Sequence, residues 1–162
     1  MNTADLLAAF PKPGRLVWIG LRASIGASMV RVDEALADTK TGLNGDRYAG
    51  LSGKRQVTLI QQEHLAVIES LTSRLVNPEM LRRNLVVAGI NLLALRKSRF
   101  RIGEVLLETT GLCHPCSKME AVLGMGGFNA MRGHGGLTAR VIESGYLRVG
   151  DTVLAVPPET II

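Results

Sequence analysis

Apolar positions in this chain gather into short, often β-branched runs set apart by glycine and proline, the patterning of strands and tight turns. Residues 14–20, 28–32, 55–60, 84–88, 100–109, 137–143 and 146–156 read as strands. One segment keeps a different period. Over residues 61–75, Leu65, Ile68, Leu71 and Leu75 recur at helical spacing, which predicts an amphipathic helix with these side chains and His64 on its inner side. Asn77-Pro78 then offers an N-cap followed by proline at the first helical position, predicting a short second helix that ends near Arg82 or Arg83. Residues 117–123 form a third helix-like stretch. Residues 39–50 are turn-rich, with Asn44-Gly45 suited to positive φ. Residues 101–106 and 148–153 echo each other, each placing Gly-acid ahead of an apolar run, a turn that feeds a strand.

Many short strands with glycine turns and two or three helices predict a mainly β protein with helical insertions (α+β), built as a closed or partly closed β-barrel. No long βαβ rhythm is present, which argues against a doubly wound parallel sheet. At 162 residues the chain fits one domain, divided here into an N-terminal extension over residues 1–13 and a single domain over 14–162. Residues 1–10 are amphipathic but too weakly apolar for a signal or anchor, and no apolar run approaches membrane-spanning length. A reducing cytoplasm with free thiols is the expected setting. The formal net charge is +5. Basic clusters at Arg82-Arg83 and across Arg96–Arg101 lack interleaved aromatics apart from Phe100, so nucleic acid is not an expected partner and a small anionic ligand suits the scattered arginines better.

The chemistry concentrates at Cys113-His-Pro-Cys116, which holds both cysteines of the chain between a strand-like run and a helix start. Peptide N–H groups and a helix dipole at such a junction favour thiolate, the form that attacks electrophilic sulfur or ligates a soft metal. Cys116 is the first candidate, with Pro115 restricting the backbone before it. Cys113 is either a resolving thiol or a small apolar filler. His114 either biases the thiols and moves protons or faces solvent. A zinc site would need two more ligands, and no second Cys-x-x-Cys or paired histidine motif supplies them. Asp46-Arg47 and Arg55 are placed to line a pocket mouth, where the arginine fork suits phosphate or a pterin-type group, with turn capping and solvated charges as the alternatives. Arg83-Asn84 precedes an apolar run, so Asn84 needs a fixed partner, backbone or ligand. Arg82 is read as facing water, and the 96–101 cluster as a soluble hairpin that protects a strand edge. His134, in a glycine-rich segment, either closes over a ligand or belongs to a plain turn.

An ordered series of motifs then coincides: Gly42-Leu-Asn-Gly-Asp-Arg47, Arg55-Gln-Val-Thr-Leu59, Arg83-Asn84-Leu85, Arg101-Ile-Gly103, Pro115-Cys116, Gly135-Gly136, Ala139-Arg-Val141 and Val149-Gly-Asp151. The series resembles the MOSC domain family, named for the carboxy-terminal domain of molybdenum-cofactor sulfurases, over about residues 14–156. Members often have His where Tyr48 stands, Gly-Glu-Asn where Arg82-Arg83-Asn84 stands, and Arg where His134 stands. The resemblance implies a barrel-like fold and a cysteine at Cys116 that carries sulfur as a persulfide or ligates molybdenum. Asp46, Arg47, Arg55, Arg83, Asn84 and His134 would then surround the molybdenum cofactor.

Three functions follow as expectations. The first is sulfur handling or molybdenum-cofactor binding at Cys116, with reduction of N-hydroxylated substrates where the centre turns over. Its partners would be a cysteine desulfurase (itself carrying pyridoxal phosphate) or another sulfur donor, and a molybdoenzyme or electron-donor protein. The second is a metal-free dithiol oxidoreductase using Cys113 and Cys116. The third is a non-catalytic module that delivers cofactor.

Overall fold

A computed structural model describes residues 1–48, 50 and 52–158; residue 49 of the turn-rich segment, residue 51, and positions 159–162 at the end of the expected domain lie outside the described residues. The strands are β1 Gly14–Leu21, β2 Val30–Val32, β3 Glu34–Asp38, β4 Gly42–Leu43, β5 Val57–Gln61, β6 Leu85–Ala88, β7 Arg99–Ile102, β8 Val105–Leu112, β9 Leu137–Glu143, β10 Gly145–Arg148 and β11 Thr152–Val156. The helices are α1 Thr3–Ala8, α2 Gln62–Thr72, α3 Pro78–Leu81, α4 Ser117–Leu123 and α5 Gly127–Met131, with a 3-10 turn at Leu92–Leu95.

Strand order β11-β7-β8-β9-β5-β6-β1 is closed by pairing of β11 with β1, Gly14 opposite Val153. The result is the expected β-barrel, closed by seven strands, with β2 hanging off β1. Strands β3, β4 and β10 form a small second sheet. Alternation along β5 and β6 explains how helices attach. Val57, Leu59, Leu85 and Val87 fill the barrel, while Ile60 and Val86 point outward to meet Leu65, Ile68, Leu81, Met119, Leu123 and Met131 of the helices. Strands buried on both faces read as unbroken apolar runs. These two strands are also parallel neighbours, joined through α2 and α3 in one βαβ unit.

Residues 146–156 are not one strand. Gly150, at φ +100°, turns the chain so that β10 pairs with β3 in the small sheet and β11 enters the barrel. Residues 100–109 likewise fold as the β7–β8 hairpin, turned at Gly103 with φ +56°. The two echoing turns abut, since Gly103 N–H donates to Thr152 O at 3.0 Å. The predicted helix over 61–75 stops early because Ser73 adopts a left-handed conformation, φ 55°. Leu65 and Ile68 are buried as expected, but Leu71 and Leu75 are 60% and 73% exposed. Helix α1 buries no residue, while Phe10 after it packs on the barrel cluster. None of the described helices is long and apolar enough to cross a membrane.

Candidate functional site

Four segments meet at one end of the barrel: the exit of β1, the loop from β4 to β5, the α3–β6 junction and the β8–α4 loop. They enclose a cleft of about 670 Å3 lined by Arg22, Asp46, Arg47, Tyr48, Arg55, Thr58, Arg82, Arg83, Asn84, Cys113, His114, Cys116 and Lys118, among others. Of the residues predicted as site candidates, Asp46, Arg47, Arg55, Arg83, Asn84, Cys113, His114 and Cys116 are thus brought together. His134 is not. The turn at Gly133 (φ +81°) carries it towards α2, where its ring meets that of His64 edge-on with centroids 5.0 Å apart.

Each anchoring contact has a local cause. Asp46 accepts the Arg22 backbone N–H at 2.8 Å and Arg47 N–H donates to Arg22 O at 2.7 Å, which clips the loop to the end of β1. Asn84 is a three-strand tie. Its Oδ1 accepts the N–H and the hydroxyl of Thr58, both at 3.1 Å, and its Nδ2 donates to Gly20 O at 3.2 Å. Backbone and Thr58 supply the fixed partner that its position in an apolar run demanded.

Arg83 is 5% exposed and meets no carboxylate at hydrogen-bond distance among the described residues. Its fork donates to the carbonyls of Leu81 (2.8 Å), Gly135 (3.0 Å), Cys113 (3.1 Å) and His114 (3.4 Å). The guanidinium thereby works as a bracket for the thiol loop. Burial lowers its pKa, the nearby Cys113 and Cys116 thiols pull it back up, and Arg55 lowers it further. An anionic sulfur in this loop therefore sits in the field of a buried cation. Cys113 is buried, with Arg55 Nη2 donating to its Sγ at 3.8 Å, whereas Cys116 is exposed at the N-cap of α4.

Several lining residues escape the sequence reading. Arg22 follows β1 and carries no motif. Arg82, read there as facing water, is instead half-buried and lines the cleft. Its backbone is left-handed, φ 62°, where α3 ends. Lys118 adds a further cation from the first turn of α4. Arg22 Nε, one Nη of Arg82 and the Tyr48 hydroxyl are buried without a partner among the described residues. Burial lowers the pKa of Arg22, as do Arg82 and Arg47, while Asp46 raises it. The cleft thus holds six cationic side chains against one lining carboxylate, itself engaged with the Arg22 backbone. Buried donors without acceptors cost stability until an acceptor arrives.

The His64–His134 contact carries its own prediction. His64 has a lowered pKa, first from burial, then from His134, with Glu63 opposing. Below pH 6.5 the unfolded chain binds more protons at this site than the folded one, so stability falls as pH drops through that range and is regained above it. Thermal midpoints taken from pH 7.5 to 5.5 should decline for the native chain more steeply than for His64→Gln.

Among solved structures the chain is similar to the YuaD protein of Bacillus subtilis, with TM-score 0.76 and 18% identity over 90% of this chain and 97% of that one. It is also similar to YiiM of Escherichia coli, at TM-score 0.69 and 20% identity over 91% and 72% of the two chains. YiiM of Geobacillus stearothermophilus matches at TM-score 0.72 and 16% identity, covering 89% and 75%. At these identities the likeness speaks for the fold. No curated protein matches the sequence. Residues 42–154, from the Gly42 turn through the thiol loop to β11, match the MOSC domain, and the chain belongs to that family.

Proposed function

We propose that the cleft binds a phosphate-bearing pterin cofactor of molybdenum, with Cys116 presenting its sulfur to the metal. The observation that carries this reading is the set of buried, unpartnered donors, Arg22 Nε, Arg82 Nη and Tyr48 OH, in a cleft with a large excess of positive charge. A phosphate would supply acceptors of the kind these donors lack, and guanidinium forks match its geometry. The donor set fits the group: hard cationic donors for the anion, and a soft, exposed sulfur for molybdenum. Such a centre, when bound, supplies two-electron chemistry, of which reduction of N-hydroxylated compounds is the expected case. The chain's own residues would do the rest. Arg22, Arg47 and Arg82 hold the anionic end. Arg83 and Asn84 keep the loop and strands in register, and Arg55 stands over Cys113. His114, exposed beside the sulfurs, is placed to exchange protons with substrate.

A titration tests the anion contact. A pterin carrying a phosphate monoester is compared with its free alcohol, on the native chain and on Arg22→Gln/Arg82→Gln. The phosphate form should bind at least tenfold tighter, as charged hydrogen bonds of this kind allow, and the double variant should lose most of that difference. Equal affinity for the two pterins would refute the assignment.

A second reading is favoured by the exposure of Cys116 three residues from a buried thiol. Here Cys116 thiolate attacks the outer sulfur of a donor persulfide. A new S–S bond forms on Cys116, the donor S–S bond breaks, and the donor leaves as thiolate with the bonding pair. Mass spectrometry after incubation with a cysteine desulfurase and cysteine should find one added sulfur, absent from Cys116→Ala. No addition to the native chain would reject this route.

A further inference from the structure

A second, smaller cavity meets the cleft at the thiol loop. It measures about 200 Å3 and is lined by Leu93, Leu112, Pro115 and the glycines at 133, 135 and 136, with Arg96 as its one ionisable side chain besides those it shares with the cleft, Cys113 and His114. Its chemistry opposes that of the cleft: aliphatic side chains and glycine backbone in place of converging guanidiniums. Local packing explains the glycines. A Cβ at Gly135 would collide with Cys113 O and one at Gly136 with Leu59 O, whereas one at Gly133 would meet open space. The loop is thus pressed against the barrel and the thiol loop, and the hollow lies beside it.

Arg96, like its neighbour Lys97, differs from the two arginines that end its basic run, but only Arg96 lines the hollow. Arg99 pairs with Glu108 and Arg101 with Glu143 across the β7–β8–β9 surface. Arg96 has no ion pair among the described residues and closes the 3-10 turn through its backbone N–H to Leu93 O at 3.1 Å. An uncommitted guanidinium at an apolar hollow matches a ligand that is apolar at one end and anionic at the other. At protein packing density the space holds roughly ten non-hydrogen atoms.

We infer that this pocket binds a small amphipathic carboxylic acid, its tail against Leu93, Leu112 and Pro115 and its carboxylate at Arg96. The occupant would lie against the wall that carries Cys113 and His114, and Arg83 ties that wall to Gly135. An acid seated there bears on the pose of the thiol loop from the face the cleft does not use. The assignment is independent of any ligand in the cleft, so the two can fail separately.

The test is an amide-shift titration by NMR on the full chain with octanoate, with octanol as the neutral counterpart and 3-phenylpropionate to tell aromatic from alkyl acids. Saturable shifts centred on Leu93, Leu112 and Gly133 with either acid support the site. Arg96→Gln, a surface change, should weaken the acid about threefold, in line with an exposed ion pair, and leave octanol unchanged. Leu93→Trp should abolish both, with its thermal midpoint recorded to show that it folds. Shifts centred away from this hollow, no saturation at millimolar acid, or indifference of the acid to Arg96→Gln would overturn the inference.

Discussion

Arg83→Met is expected to lower stability by about 2–4 kcal/mol, the largest effect of any single change at the cleft. Four carbonyls lose their donor at once, and each buried hydrogen bond of this kind contributes on the order of 1 kcal/mol. Relief of the desolvated charge offsets part of that loss, so the sum of the bonds is the upper end of the estimate. For a chain of this size the thermal midpoint should drop by roughly 5–12 °C. Arg83→Lys should recover less than half, because an ammonium is a point donor and cannot span carbonyls from three segments. Melting curves of the three chains decide it. A midpoint within about 2 °C of native for Arg83→Met, an amount worth no more than about 1 kcal/mol, would mean the bracket is dispensable.

Cys116→Ser separates fold from chemistry. Cys116 is the N-cap of α4 and makes no capping hydrogen bond through its side chain. Serine is among the preferred residues there, so this variant should be as stable as the native chain or more so, by up to about 1 kcal/mol. Its hydroxyl cannot carry sulfane sulfur and is a poor ligand for a soft metal. Sulfur loading and metal retention should both vanish in a fully folded protein, which a circular dichroism melt beside mass spectrometry and metal analysis would establish. Retention of either by Cys116→Ser would move the functional sulfur to Cys113.

Much of the barrel was legible because β5, β6 and β9 carry period-two or unbroken apolar runs that only strands buried on one or both faces require. The small sheet was not. Residues 34–38 mix charge and alanine, and β4 is two residues long, so neither shows a period before β10 supplies the pairing. Leu71 and Leu75 misled because helical spacing marks a shared face only while the helix lasts, and Ser73 ends it. At the site, the motif-bearing residues converged, but jobs depended on geometry that no spacing encodes. Arg83 and Arg82 are adjacent and both line the cleft, yet Arg83 spends its fork on carbonyls while one Nη of Arg82 has no partner among the described residues. Arg22 had no motif to announce it, and His134 lay next to the Gly135 carbonyl that Arg83 holds without reaching the cleft itself.

The most direct test of the cofactor assignment is metal and pterin content of the chain purified from a host that makes molybdenum cofactor. The account predicts molybdenum and pterin in equal, near-stoichiometric amounts in the native protein, with molybdenum lost from Cys116→Ser and both lost from Arg22→Gln/Arg82→Gln. Native protein free of both, or variants that retain them unchanged, would contradict it.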